Sequence, residues 1–238
     1  MEHEHSVEAI QERLSAGPQH NSLRDWIYGG IDGSVTTFAV VTGVVGAHLS
    51  PVVIVIMGFA NLVGDGFSMA ASNFLGTKSE HDDVSRLEAI ERRHIELAPE
   101  GEREEVRQIF AAKGFSGDDL ERVVELITSD PDRWVRTMLT EEYGLPLEPR
   151  SAWRAAAATF SAFVICGVVP LLPFIAGLRN AFAISVILTA IVFFTIGSIK
   201  SRWATASWWR SGLSTLMVGG VAASLAYLVG LFLKNLAQ

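Results

Sequence analysis

One cysteine in 238 residues excludes an intrachain disulfide. It is Cys166, inside an apolar run where a packed thiol is the ordinary role. Charge is missing over long stretches: residues 155–178, 180–199, 211–233 and 33–64 contain no Asp, Glu, Lys or Arg. A soluble domain could reach 49% hydrophobic residues, but it would scatter its charges among them. Three of the runs match the roughly 20 apolar residues that cross a bilayer. The run 33–64 is too long for one crossing, and Ser50-Pro51 divides it as an N-cap and a first helical residue. Five transmembrane helices are therefore expected, at about 26–48, 51–77, 155–178, 180–199 and 211–233. The polar N-terminus, MEHEHSVEAIQERL, lacks the basic start and apolar core of a signal peptide. No Gly-x-Ser-x-Gly is present for a serine hydrolase, no strand pattern is evident, and an enzyme is not expected.

What the chain does have is a block of acid. Residues 80–150 hold 19 of the 26 Asp and Glu residues, while the remainder has 7 acids against 9 Lys and Arg. The net charge of −7 thus belongs to one segment lying between apolar stretches, and its sign disfavours nucleic acid as a partner. The basic residues set an orientation. Arg13, Arg24, Lys78, Arg150, Arg154, Lys200, Arg202 and Arg210 fall on one side of a five-span arrangement, and only Arg179 and Lys234 on the other. The N-terminus and the acidic insert are expected in the cytoplasm. The organisation that follows is a tail with a short amphipathic helix (1–24), two spans (25–78), an acidic helical domain (79–150) and three spans (151–238). Glu2-His3-Glu4-His5 could chelate a metal but reads as a solvated terminus. In the insert, helices are expected at 86–97, 102–112, 116–128 and 130–143, with a turn at Pro99-Glu100-Gly101, and the second span's helix can run straight on into the insert through Lys78-Ser79-Glu80. Pro170 and Pro173 mark a kink or an end in the third span.

Two acids fall inside spans: Asp32 in the first and Asp65 near the middle of the second. An Asp at a helix centre costs about 2.5–3.5 kcal/mol on insertion scales, and such groups usually face a pathway, a partner or a wet cavity. A structural alternative for Asp32 is a pair with Arg24. Asn61, Asp65 and Met69 recur at every fourth residue and share one face, offering an amide oxygen, a carboxylate and a thioether. Oxygen alone suits Mg²⁺ or Ca²⁺; an added thioether tilts the set towards a borderline ion such as Fe²⁺. In the insert, Glu88, Glu91 and His94 are spaced i, i+3, i+6, Glu102 and Glu105 i, i+3, and Met138 and Glu142 i, i+4. Carboxylate and Glu-x-x-His pairs on facing helices build iron and manganese sites in helical bundles. Taken singly, each pair is also what a solvated acidic helix contains by chance.

These residues carry a resemblance. Arg24-Asp25 through Gly29, Ile31-Asp32-Gly33, Phe67-Ser68-Met69 through Lys78-Ser79-Glu80, the insert from Glu91 through Pro99 to Met138, Glu142 and Gly144-Leu145, and Pro170-Leu171-Leu172-Pro173 resemble the vacuolar iron transporter family over residues 22–235. The resemblance implies an all-α membrane protein. It would be a homodimer with five spans per subunit and a cytoplasmic helical metal-binding insert between the second and third. It also implies proton-coupled export of Fe²⁺, with Mn²⁺, Co²⁺ or Zn²⁺ as further substrates and no permanent cofactor. It places the family's first-span Asp on Asp32, its second-span Met on Met69, and its insert ligands on Glu91, Glu102, Glu105, Met138 and Glu142. Three positions depart: a second-span Glu of plant members is Asn61, an insert Glu is His94, and a second insert Met is Leu139. A bacterial inner membrane is the expected location. A membrane-anchored metal buffer and a membrane di-iron oxidase are the alternatives, although an oxidase centre wants two Glu-x-x-His motifs and the chain has one.

Overall fold

The computed structural model describes residues 6–15, 22–146, 150–203 and 207–236; Glu2-His3-Glu4-His5 lies outside them. Every regular element among the described residues is helical. α1 (Val7–Ser15) is the short N-terminal helix expected from the sequence. It is followed by α2 (Leu23–Gly46), α3 (Pro51–Leu97), α4 (Pro99–Ala112), α5 (Gly117–Thr128) and α6 (Pro131–Glu141). The chain then returns through α7 (Ala152–Gly167), a 3₁₀ turn at Val169–Leu171, α8 (Leu172–Ile175), α9 (Ala181–Lys200) and α10 (Trp208–Leu236). Among the described residues, five segments are long and apolar enough to cross a membrane: Leu23–Gly46, the first part of Pro51–Leu97, Ala152–Ile175, Ala181–Lys200 and Trp208–Lys234.

The chain divides into two compact units, residues 20–75 with 152–238 and residues 1–19 with 76–151. In the first, α2 packs against α7 and α10. The α2–α7 contact is set by glycine. A Cβ on Gly33 would strike the Phe163 carbonyl oxygen, and one on Gly29 the Thr159 carbonyl oxygen. Two glycines four apart put a flat strip on one face, the usual device for bringing membrane helices into backbone contact. The core beside this seam is Phe38, Val41, Val44, Ile54, Leu62, Phe163 and Leu171. In the second unit, α4, α5 and α6 close on Val106, Val124, Ile127, Trp134 and Met138, with Ile95 of α3 packed against them.

One expectation is borne out and one is corrected. The second span's helix runs straight on through Lys78-Ser79-Glu80, so that residues 86–97 are the end of α3, unbroken from Pro51 to Leu97. The reason is visible in the chain: no Pro or Gly occurs from Thr77 to Ala98, so nothing stops propagation. Pro99-Glu100-Gly101 is not a turn but the first turn of α4, with Pro99 at its opening and the Gly101 and Glu102 N–H groups donating to the Ala98 carbonyl. Proline is pre-set for that position, where its missing N–H would have had no partner. The third span breaks where expected: α7 ends at Gly167, and Pro170 and Pro173 sit in the tight turns that follow. At α6, Asp130 accepts from the Asp132 and Arg133 N–H groups and caps the helix.

Candidate metal centre

The insert assembles its centre from two helices. Glu91 and His94 lie on consecutive turns near the end of α3, and Glu102 lies in the first turn of α4. Ala98 and Pro99 turn the chain sharply enough to face these turns towards each other. One ligand atom from each of Glu91, His94 and Glu102 falls within 4.8 Å of the others. His94 Nδ1 is 3.4 Å from Glu102 Oε1 and 3.7 Å from Glu91 Oε1. The carboxylates are the floor: Glu91 is 1% exposed and Glu102 6%. His94 is half exposed at the rim. The Tyr143 hydroxyl donates to Glu91 Oε1 at 2.9 Å. The other oxygens, Glu91 Oε2 and Glu102 Oε2, are buried without a hydrogen-bond partner. Buried carboxylate oxygens left unpaired are costly, and a cation is the partner that would satisfy both.

The electrostatics widen the cluster. Burial, and then the charges of Glu105 and Glu91, push Glu102 up to about 7. Glu142 is also raised, by burial first and then by Glu105 and Glu91. Burial, with the hydrogen bond to Glu91, pushes Tyr143 up to about 12, so it stays a donor. Four carboxylates and one imidazole therefore feel one another, with Glu105 and Glu142 on the exposed side. One nitrogen and several carboxylate oxygens make a donor set for a divalent first-row ion.

Two expected ligands go elsewhere. Glu88 turns to Arg92 at 2.9 Å, and Arg92 also holds Asp132 at 2.8 Å, in an exposed ion-pair chain. Met138 is fully buried among Val106, Val124, Ile127 and Trp134. Tyr143 was missed by sequence reasoning; its position next to Glu142 was the available signal.

In the membrane helices, Asn61, Asp65 and Met69 lie on α3 as spaced. Asn61 donates through Nδ2 to Thr36 Oγ1 at 3.1 Å and to Thr37 Oγ1 at 3.4 Å on α2. Asp32 of α2 is half-buried, and Asp65 of α3 is exposed on its helix. Among the described residues neither carboxylate has a salt-bridge or hydrogen-bond partner. Arg24, the expected alternative partner of Asp32, lies over the Tyr28 ring instead, 5.5 Å from its centroid. Met69 packs beside the apolar core. One turn further, Asn73 donates to Asp25 Oδ1 at 3.0 Å and to Thr159 Oγ1 at 2.8 Å, tying α2, α3 and α7 together. Asp25 and Asn73 were also missed, although Asn73 continues the four-residue spacing of Asn61, Asp65 and Met69.

Comparison with known proteins places the chain in a family. The VIT family profile matches residues 23–231. The chain is similar to "Vacuolar iron transporter 1" of Arabidopsis thaliana, 31% identical over 86% of this chain and 83% of the relative. It is also similar to "Vacuolar iron transporter 1" of Eucalyptus grandis, 32% identical over 86% and 84%. A third relative, "Vacuolar iron transporter" of Plasmodium berghei, is 29% identical over 98% of this chain and 89% of its own length. On a match that takes in the insert and reaches all five apolar helices, this chain belongs to the VIT family.

Proposed function

We propose that this multi-pass membrane protein transports Fe²⁺ out of the cytoplasm in exchange for protons, accepting Mn²⁺, Co²⁺ and Zn²⁺ as further substrates. One observation carries the reading. Asp32 and Asp65 sit in two membrane-spanning helices, with no cationic partner among the described residues. An anchor for a metal buffer has no use for two such acids, whose insertion is costly, whereas a cation path does. The relatives' names, each a vacuolar iron transporter, support iron as the ion.

The reading has two stages. The insert, on the cytoplasmic side with the N-terminus, captures the ion on Glu91, His94 and Glu102, with Glu105 and Glu142 adding negative charge. The ion is then bound by Asp32 and Asp65, with the Asn61 oxygen and the Met69 thioether as neutral donors, in a homodimer. Protonation of these carboxylates from the far side would release the ion and return protons inward. A bacterial inner membrane is the proposed location.

The test is flux in liposomes holding the purified full-length protein and a metal indicator. An imposed pH gradient should drive Fe²⁺ movement, and Mn²⁺, Co²⁺ and Zn²⁺ should compete. Asp32→Ala and Asp65→Ala should each abolish it. Undiminished flux in both variants would sink the assignment of the path, and metal binding without flux would favour a buffer.

A further inference from the structure

The Asn61 amide is held in one orientation by the Thr36 hydroxyl, whose own hydrogen is already given away. A threonine hydroxyl has one hydrogen to give. Thr36 gives its hydrogen to the main-chain carbonyl of Asp32, four residues back, at 2.9 Å. Its Oγ1 can therefore only accept from Asn61, and it does so at 3.1 Å. The Thr37 Oγ1 takes the second hydrogen of the same NH₂ group at 3.4 Å. Thr37 is fully buried, so water does not compete for it. Both donors of Asn61 are thus committed to α2. Its carbonyl oxygen is the uncommitted atom: no donor among the described residues reaches it. Were the amide turned over, two oxygens would oppose each other across the Thr36 contact.

We propose that Thr36 is a positioning residue for cation passage. By fixing the Asn61 amide with its NH₂ towards α2, it leaves the Asn61 carbonyl oxygen as a neutral ligand one helical turn from Asp65. The inference rests on the transport reading above. The chemistry is that of a metal shell. A divalent ion held by carboxylates completes its coordination with neutral oxygens, and an amide oxygen serves where an amide NH₂, with its positive end outward, would repel. The alternative role is a plain staple between α2 and α3, in which only the strength of the bond would matter and not which atom is left free.

The experiment uses the full-length protein in liposomes, with initial rates of Fe²⁺ movement under a pH gradient at several metal concentrations. Thr36→Val keeps the shape and removes the acceptor; Thr36→Ser keeps the acceptor. A neutral hydrogen bond of this kind sets the scale, so Thr36→Val should raise KM about fivefold with kcat nearly unchanged. Thr36→Ser should stay within about twofold of the parent. A double-mutant cycle checks that Thr36 acts through Asn61: in an Asn61→Ala background, Thr36→Val should add nothing, while the rise in KM at unchanged kcat separates positioning from a staple. If Thr36→Val does not elute as a folded species, Thr36→Ala takes its place in the cycle. Additive effects, or a fall in kcat with unchanged KM, would overturn the role of Thr36 while leaving transport standing. A parent protein that moves no ion refutes the transport reading and this proposal with it, and is told apart by the parent's own zero flux.

Discussion

Metal binding by the insert should weaken steeply as pH falls through neutrality, and the structure sets the size of the effect. Glu102 is raised from 4.5 to about 7 by its burial and by Glu105 and Glu91. A carboxyl must lose its proton before it can ligate. At pH 8 about nine-tenths of a group with that value is ionised, and at pH 6 about one-tenth. The proton on Glu102 alone should therefore lower the apparent affinity about tenfold between pH 8 and pH 6, or about 1.4 kcal/mol. Glu142 is raised in the same direction, by burial first and then by Glu105 and Glu91. Calorimetric titration of the full-length protein with Mn²⁺ or Co²⁺ measures the affinity at each pH. Repeating it in two buffers of different ionisation enthalpy counts the protons, and roughly one should be released near pH 6.5. Glu102→Gln should bind more weakly at pH 8 and lose most of this pH dependence. An affinity that is flat between pH 6 and pH 8, or binding without proton release, would refute the argument from burial.

The remaining predictions test placements. Glu88→Gln should leave metal affinity within about twofold, since Glu88 is engaged with Arg92 away from the centre and an exposed pair is worth at most about 1 kcal/mol; a tenfold loss in calorimetry would restore it as a ligand. Asn73→Ala removes the donor that bridges Asp25 and Thr159. It should lower stability by about 1.5–3 kcal/mol, read as a drop in the thermal midpoint in detergent. Gly33→Ala should separate α2 from α7, because its Cβ meets the Phe163 carbonyl. A cost of about 3 kcal/mol is expected, and an unchanged midpoint would contradict the packing.

The membrane helices were legible because charge is costly in lipid: four gaps in Asp, Glu, Lys and Arg, the longest divided at Ser50-Pro51, locate all five. The continuation of α3 was legible in the same negative way, from the absence of Pro and Gly between Thr77 and Ala98. Pro99-Glu100-Gly101 misled because the same residues suit a turn and a helix start; what decides is whether the preceding helix leaves room for a new one. Glu91 and His94 were legible as a pair, since three-residue spacing fixes a shared face. Their meeting with Glu102 was not, because it depends on how α3 and α4 fold over each other. Met138 illustrates the reverse. Trp134, Val135, Met138 and Leu139 form an apolar stripe on α6, and that stripe, more than the spacing to Glu142, fits the side chain's place in the core. The bonds from Asn61 to Thr36 and Thr37 cross between helices, where spacing along one helix says nothing.

The two carboxylate groups face one constraint, the cost of gathering negative charge away from water, and each meets it with different residues. In the insert a proton can relieve it: burial, with Glu105 and Glu91, pushes Glu102 up to about 7, so a cation bound there would displace a proton. In the α2–α3 seam the relief is in the composition. Two carboxylates, Asp32 and Asp65, match a divalent ion charge for charge. The next position on the face is Asn61, which offers oxygen without charge. A third acid there would leave the ion-bound seam with an uncompensated negative charge inside the membrane, at about 2.5–3.5 kcal/mol on insertion scales. On the transport reading, Asn at 61 beside Asp at 65 would keep an ion-bound seam neutral, and the bond to Thr36 would leave its oxygen free to serve.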